Sequence, residues 1–347
     1  MPDSPFAPAS FTALPRLTGL ALSREGDRLV ATLQQPDAKG ARYTSSIWEI
    51  PLEGSGECVR LTRSEKGETA PVFLPDGALV FTSSRPAGDQ EDEEPALWLL
   101  PRTGEPRLLA TVPGGLGGAV IARDAGTVVA TGSRLTFGDD ASPDAEADAA
   151  ARKDRKDRRL SAILHTGMPI RHWDTELGDT SPRLFALGAD GAARDLAPDA
   201  GQALHQASYS ICADGTVLLA DWRMRRRGGC VDPVVVRLDP ATGAREILLD
   251  EEGVGYERAV IAPDGARMAV TRLFEGDFET PFDQRLQLRD LAGGVVRDVE
   301  LGDLAPSEYT WSTDSGTLFV AGNLHGRGAV VAVDGATGAT IRRLVSD

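Results

Sequence analysis

Ala70-Pro-Val-Phe-Leu-Pro-Asp-Gly-Ala-Leu-Val-Phe-Thr-Ser83 and Leu97-Trp-Leu-Leu-Pro-Arg-Thr-Gly-Glu-Pro-Arg-Leu-Leu-Ala110 spell four short apolar runs, joined in pairs by tight turns. Asp76-Gly77 and Thr103-Gly104 stand where a tight hairpin demands positive φ, which glycine supplies without steric cost. The stretch therefore predicts two antiparallel hairpins, a four-strand unit of about 40 residues.

The same unit recurs along the chain. Turn glycines of the first kind are Gly26, Gly77, Gly126, Gly215, Gly265 and Gly316, at intervals of 51, 49, 89, 50 and 51 residues. Those of the second kind are Gly54, Gly104, Gly191, Gly243, Gly293 and Gly338, which follow the first by 28, 27, 65, 28, 28 and 22. Third strands align as Ile47-Trp-Glu-Ile50, Leu184-Phe-Ala-Leu187, Val234-Val-Val-Arg-Leu238, Arg285-Leu-Gln-Leu288 and Val330-Val-Ala-Val333. A four-strand unit at this period, with runs apolar enough to pack on both faces, predicts an all-β fold: a β-propeller of antiparallel four-stranded blades. Six repeats are visible. They divide the chain into an N-terminal extension over 1–16 and a propeller over 17–347, with a partly helical insertion in blade 3 over 137–180. Every copy is in the same phase, so no spare strand completes a split blade. The ring then closes by packing alone, or a seventh blade follows Asp347.

With 38 Gly and 22 Pro among 347 residues, the chain is rich in turn formers, which suits many short strands. A net charge of −15 argues against nucleic acid or an anionic membrane as partner. Cys58, Cys212 and Cys230 form no Cys-x-x-Cys pair, so neither a zinc site nor a disulfide framework is expected. Met1-Pro-Asp-Ser-Pro-Phe-Ala-Pro8 lacks the basic and apolar regions of a signal peptide, and no run reaches the ~18 apolar residues of a membrane span. A cytoplasmic protein is expected.

In such a meander the turns between strands one and two, and three and four, fall on one face. Connections between strands two and three, and between blades, fall on the other, and here these are the elaborate ones. Blade 2 offers the acidic run Asp89-Gln-Glu-Asp-Glu-Glu94, blade 4 the basic run Arg223-Met-Arg-Arg-Arg227, and blade 5 Glu275-Gly-Asp-Phe-Glu279. Function concentrates on long loops over a rigid scaffold, so this is the expected working face. Within the insertion, Ser142-Pro143 reads as an N-cap with proline at N1 of a helix, acidic at Asp144, Glu146 and Asp148 and basic from Arg152 to Arg159, with Asp148–Arg152 and Asp154–Arg158 as i,i+4 pairs. The aromatic and charged stretch Met168-Pro-Ile-Arg-His-Trp-Asp174 is expected to fold back on the ring. Candidate gating or interface residues are Arg171, Trp173, Asp174, Arg225, Arg226, Glu257 and Glu308.

Catalytic chemistry is what the sequence lacks. No Gly-x-Ser-x-Gly elbow is present, and Ser133 ends a strand without a following helix. His165, His172, His205 and His325 have no motif partners, and His172 reads as a packed loop histidine. Pro113-Gly-Gly-Leu-Gly-Gly118 has neither the helix nor the Lys-Ser/Thr of a phosphate loop and reads as a linker. No catalytic residue, metal ligand or cofactor site is assigned, and no cofactor is expected.

The repeated Pro-Asp-Gly, with Phe81-Thr-Ser-Ser-Arg85 and Leu97-Trp-Leu-Leu100, resembles the propeller of the prolyl oligopeptidase family. Ala150-Ala-Arg-Lys153, Met168–Asp174 and Ser181-Pro-Arg-Leu-Phe185 are more specific and resemble its acylaminoacyl-peptidase and dipeptidyl-peptidase-like branch. Periplasmic propellers of the TolB type share the blade motifs. The resemblance implies an N-terminal propeller stacked on a C-terminal α/β-hydrolase domain of the same gene product, with a serine peptidase site between them acting on short peptides. The hydrolase half is absent here, so no catalytic residue carries over. The seven blades often found in that family agree with a further blade after Asp347.

Three functions follow as alternatives. The first is an access-controlling propeller that admits short, flexible peptides and excludes folded chains. The second is a free-standing TolB-like propeller that binds a protein partner. The third is a six-bladed lactonase-type metallohydrolase, for which Glu257, Glu308 and Gln206 lie near strand starts while Pro71 and Ala119 do not complete a shell. Neither nucleic acid nor membrane is an expected partner, and a homo-oligomer is left open. Lacking a positioned nucleophile, base and oxyanion hole, this chain by itself should cleave no aminoacyl- or dipeptidyl-nitroanilide. Turnover abolished by a serine-directed inhibitor would contradict that reading.

Overall fold

The computed structural model describes residues 7–346 other than 38, 55, 87–93, 138–139, 142–143, 166–169 and 226–230. The all-β expectation holds. Among the described residues, six antiparallel sheets follow one another along the chain as propeller blades; five are built from four consecutive strands, and blade 3, interrupted by the insertion, adds the short edge strand Asp140–Ala141 to its four. Blade 1 comprises Arg16–Leu22, Leu29–Pro36, Tyr43–Ile50 and Val59–Arg60. Blade 2 comprises Thr69–Phe73, Leu79–Ser83, Ala96–Leu100 and Arg107–Ala110. Blade 3 comprises Leu116–Ile121, Val128–Phe137, Thr180–Leu187 and Ala193–Asp195. Blade 4 comprises Tyr209–Ile211, Leu218–Arg225, Val231–Leu238 and Arg245–Leu249. Blade 5 comprises Val254–Ile261, Arg267–Phe274, Asp283–Asp290 and Val296–Asp298. Blade 6 comprises Ala305–Trp311, Thr317–Leu324, Arg327–Asp334 and Thr340–Ser346.

The chain divides into two compact units. One holds blades 1 and 2 and most of blade 3 with its insertion; the other holds blades 4 to 6, together with 124–127 and 181–183. In the first unit, Val30, Ile47, Phe73, Leu79, Phe81, Ala96 and Trp98 form one core between blades 1 and 2. Val80, Leu97, Leu99, Leu116, Val128 and Phe185 form another between blades 2 and 3. Successive side chains of a strand point to opposite faces, so Leu79 and Phe81 serve one core and Val80 the other. In the second unit, Met268 and Val270 pack towards blade 4 and Ala269 towards blade 6. Second strands therefore carry unbroken apolar runs at their buried centres, such as Leu79-Val-Phe81, Leu218-Leu-Ala220 and Met268-Ala-Val270.

The glycine turns behave as the repeat predicts, with one exception. Gly77 takes φ +81° between the first two strands of blade 2, a conformation that L side chains rarely adopt. In blade 6 the turn Asp314-Ser315-Gly316 holds one more residue, and Ser315 takes the left-handed position at φ 61°. Loop elaboration is also less uniform than expected, because only His325-Gly326 separates the second and third strands of blade 6. Large apolar side chains are left uncovered on the first strand of blade 1 (Leu17, Leu20 and Leu22) and on the last strand of blade 6 (Ile341, Leu344 and Val345).

Among the described residues two helices accompany the sheets, α1 at Pro8–Ala13 and α2 at Ala145–Asp157. The N-cap of α2 is Asp144, whose carboxylate accepts from the Ala147 amide at 2.8 Å; this corrects the expected Ser142 cap, and Ser142-Pro143 lies outside the described residues. Both expected i,i+4 pairs form, Arg152 to Asp148 at 2.8 Å and Arg158 to Asp154 at 2.9 Å. The first does more than brace the helix. Asp148 is buried, and its other oxygen accepts from the Leu135 amide at 2.6 Å, on the second strand of blade 3. Arg155 adds an ion pair to Asp179 at 2.8 Å. The polar helix is thus clamped to its own blade by a buried carboxylate. Asp148→Ala should leave the Leu135 amide unpartnered in the interior, at a cost of about 1–3 kcal/mol. Limited trypsin digestion should then cut at Arg152–Arg159 several-fold faster; an unchanged rate would contradict the clamp.

Candidate functional site

Blades 4, 5 and 6 each contribute to one cluster, and the local cause is a bulge. Pairing of the first two strands of blade 5 shifts register between Glu257 and Val260, and Arg258 within it has φ 54°. A bulge re-aims the chain and frees backbone groups from the ladder. The Arg258 amide donates to Asp221 Oδ2 on the second strand of blade 4 at 3.1 Å, and the Ser208 amide donates to the same oxygen at 3.1 Å. The Arg258 carbonyl accepts the Tyr309 hydroxyl of blade 6 at 2.6 Å, and Thr271 Oγ1 lies 3.0 Å from that hydroxyl. The Arg258 guanidinium donates to the Ser307 carbonyl and lies 3.6 Å from the Glu308 carboxylate. One left-handed residue is thereby held by its amide on one side and by its carbonyl and side chain on the other.

A cavity of about 230 Å³ lies over this cluster, lined by Ser208, Tyr209, Arg258, Ala259, Val260, Glu308 and Tyr309. Asp221 sits beneath it, only 5% exposed, and its Oδ1 is buried without a hydrogen-bond partner among the described residues. Burial pushes the Asp221 carboxyl up to about 6, and nearby Glu257 adds to the shift; the amides of Arg258, Ser208 and Ala259 oppose it. Burial also raises the Tyr309 phenol well above its ordinary value, so this side chain acts as a neutral hydroxyl. Strand register explains why Asp221 is unusual. Opposite the third-strand residues Ile47, Leu97, Val235, Leu286 and Val330, the second strands carry Thr32, Thr82, Asp221, Thr271 and Ala321. At this position Thr82 donates to the Gly117 carbonyl at 2.9 Å and Thr271 lies 3.0 Å from the Tyr309 hydroxyl, each reaching the next blade. Only blade 4 of these five places a carboxylate there.

Of the sequence-derived candidates, Glu257 and Glu308 come together at this site, flanking Arg258 and its partner strand. Arg225 ends the same strand as Asp221, and Arg226 lies outside the described residues. Arg171, Trp173 and Asp174 belong to the other unit. Arg171–His172 and Thr175–Glu176 form a hairpin with Trp173 and Asp174 at its tip; the Arg171 guanidinium donates to the Trp173 carbonyl at 3.0 Å. Trp173 has φ 52° and is 90% exposed, so the expectation that it folds back on the blades is corrected. The two-residue turn presses its backbone into a left-handed form that sends the indole outward. Sequence reading missed Asp221 and Arg258. The signal was an acid in Leu218-Leu-Ala-Asp-Trp222, where aligned strands carry threonine or alanine. Among the described residues, no three His, Cys, Asp or Glu side chains converge as metal ligands would.

No family profile matches the chain. Dipeptidyl-peptidase 5 of Porphyromonas endodontalis is 22% identical over 188 residues, which cover 53% of this chain and 24% of that protein. Among solved structures, the acylaminoacyl peptidase of Pyrococcus horikoshii superposes on 97% of this chain with a TM-score of 0.66 at 12% identity. The match takes up 47% of that enzyme, so the chain spans about half its length. The β-propeller domain of the trilobed protease from Pyrococcus furiosus, described as having an open velcro topology, superposes on 92% of the chain and is itself 81% covered, with a TM-score of 0.56 at 12% identity. These likenesses establish the fold as a β-propeller. No hydrolase domain is present among the described residues. Tyr309→Phe should remove the hydroxyl that the Arg258 carbonyl accepts and cost about 1 kcal/mol in chemical denaturation. Unchanged stability would show that the clasp around Arg258 carries no energy.

Proposed function

We propose that this chain is the access-controlling propeller of a serine peptidase acting on short peptides, with catalysis in an α/β-hydrolase domain of the same gene product. The observation that carries the reading is the disposition of the match to acylaminoacyl peptidase: 97% of this chain is used, and more than half of the enzyme is left without a counterpart. Local chemistry agrees. The cluster around Arg258 offers hydrogen bonds and charge but no nucleophile with a base beside it, so it suits holding and orienting a passing chain. Two free cysteines, Cys58 and Cys212, agree with a cytoplasmic setting, and no described helix is long and apolar enough to cross a membrane.

Selection in this reading is by size. A propeller surrounds a central channel with first strands and connecting loops, and only a short flexible peptide threads it without unfolding. Elaborated loops, such as the clamped insertion of one unit and, in the other, the blade 5 turn bearing fully exposed Phe278, are then the candidates to limit entry and to meet the catalytic domain. The gene's full product should lose activity to a serine-directed inhibitor, and kcat/KM should fall steeply as peptides lengthen. Replacing 137–180 by a short glycine turn should flatten that length dependence while the blades stay folded. A full product without peptidase activity would overturn the assignment; equal kcat/KM for short peptides and folded proteins would overturn the gating.

A further inference from the structure

Asp221 is poorly placed as a mere structural bridge. Its position in the repeat is served by threonine in three of the five aligned blades, and threonine brings no charge into the interior. The carboxylate has one oxygen committed to two amides and the other buried without a partner. One of those amides belongs to Arg258, whose left-handed backbone is a conformation that a bulky residue keeps only when its surroundings impose it. The remaining restraints on Arg258 come from blade 6, through Tyr309, Ser307 and Glu308. Arg258 and Glu308 line the cavity, so whatever controls the bulge controls the cavity wall.

We propose that Asp221 is a proton-operated clasp: protonated, it locks the blade 5 bulge against blade 4 and fixes the Arg258 wall of the cavity, and ionised, it favours an opened bulge in which the carboxylate is hydrated and Arg258 is released. The inference is independent of the peptidase reading. Its physical basis is the penalty for keeping a carboxylate in the interior with an oxygen unpartnered. Charged and titratable groups around Asp221 do not remove that penalty. Tyr209, from blade 4, and Tyr309, from blade 6, offer no positive charge; Glu257 opposes ionisation; Arg223, two residues along the same strand, is directed to the His205 carbonyl at 2.9 Å; and the Arg258 guanidinium is directed to Ser307 and Glu308.

The direction follows from linkage. In the closed form the carboxyl titrates at about 6, and in an opened, hydrated form near its ordinary 3.8. A group whose pKa is raised in the closed form favours that form at low pH, and the advantage is lost as pH rises through the closed-form value. Between those two values the opening equilibrium rises up to tenfold per pH unit and then levels off above them.

Amide hydrogen exchange at Arg258 and Ser208, corrected for the intrinsic pH dependence of exchange, measures the opening directly. From pH 5 to pH 7.5 protection of these two amides should fall about tenfold, while amides in the central strand Val234–Leu238 should keep theirs. Asp221→Asn should abolish the pH dependence. Asp221→Thr, which installs the residue used by neighbouring blades, should do the same and serves if the asparagine variant fails to fold. Flat protection in the wild type, an equal fall in both variants, or an equal fall throughout the unit would each overturn the proposal.

Discussion

Two-sided burial of the inner strands is the constraint on which the structure depends. Within each unit, an inner strand that lies between two blades must present apolar side chains in both directions, to the blade before and the blade after. Leu79, Val80 and Phe81 show the consequence within three residues, because they are fully or almost fully buried in two different cores. Each such side chain contributes roughly 1.5–3 kcal/mol on burial, and the sum over successive blades outweighs the short, weakly paired outer strands. Most polar groups in this setting are met by a partner on a neighbouring strand. Thr82 is met by the Gly117 carbonyl, and Tyr309 by the Arg258 carbonyl. Asp221 satisfies one oxygen and leaves the other bare, which is why it stands out chemically.

That constraint also explains what could be read in the sequence. Blade boundaries follow from turn glycines at a near-constant interval, and the strands between them are apolar enough to be recognised without knowing their partners. Contacts between segments distant in sequence are a different matter. Asp148 looked like an ordinary first-turn acid on a helix dipole; its burial against the Leu135 amide depends on where the insertion lands. Trp173 looked like an anchor for a returning loop, and the tight hairpin turns it outward instead. At the candidate site, Glu257 and Glu308 were legible as acids near strand starts. Arg258, the residue that joins them, was hidden because a bulge is a property of pairing rather than of composition. Asp221 was legible only as a departure from a repeat whose register the strands define.

The propeller thus divides its work between a scaffold held by apolar packing and a few polar junctions where the packing is interrupted. The insertion is tied down by a buried carboxylate, and the blade 4 to blade 6 junction by a left-handed arginine. The most direct test is to isolate the native gene product from its own cells, treat it with a fluorophosphonate that labels active serines, and measure its intact mass. The account predicts a labelled protein whose mass exceeds that of these 347 residues by a hydrolase domain. An unlabelled product with the mass of this chain alone would contradict it.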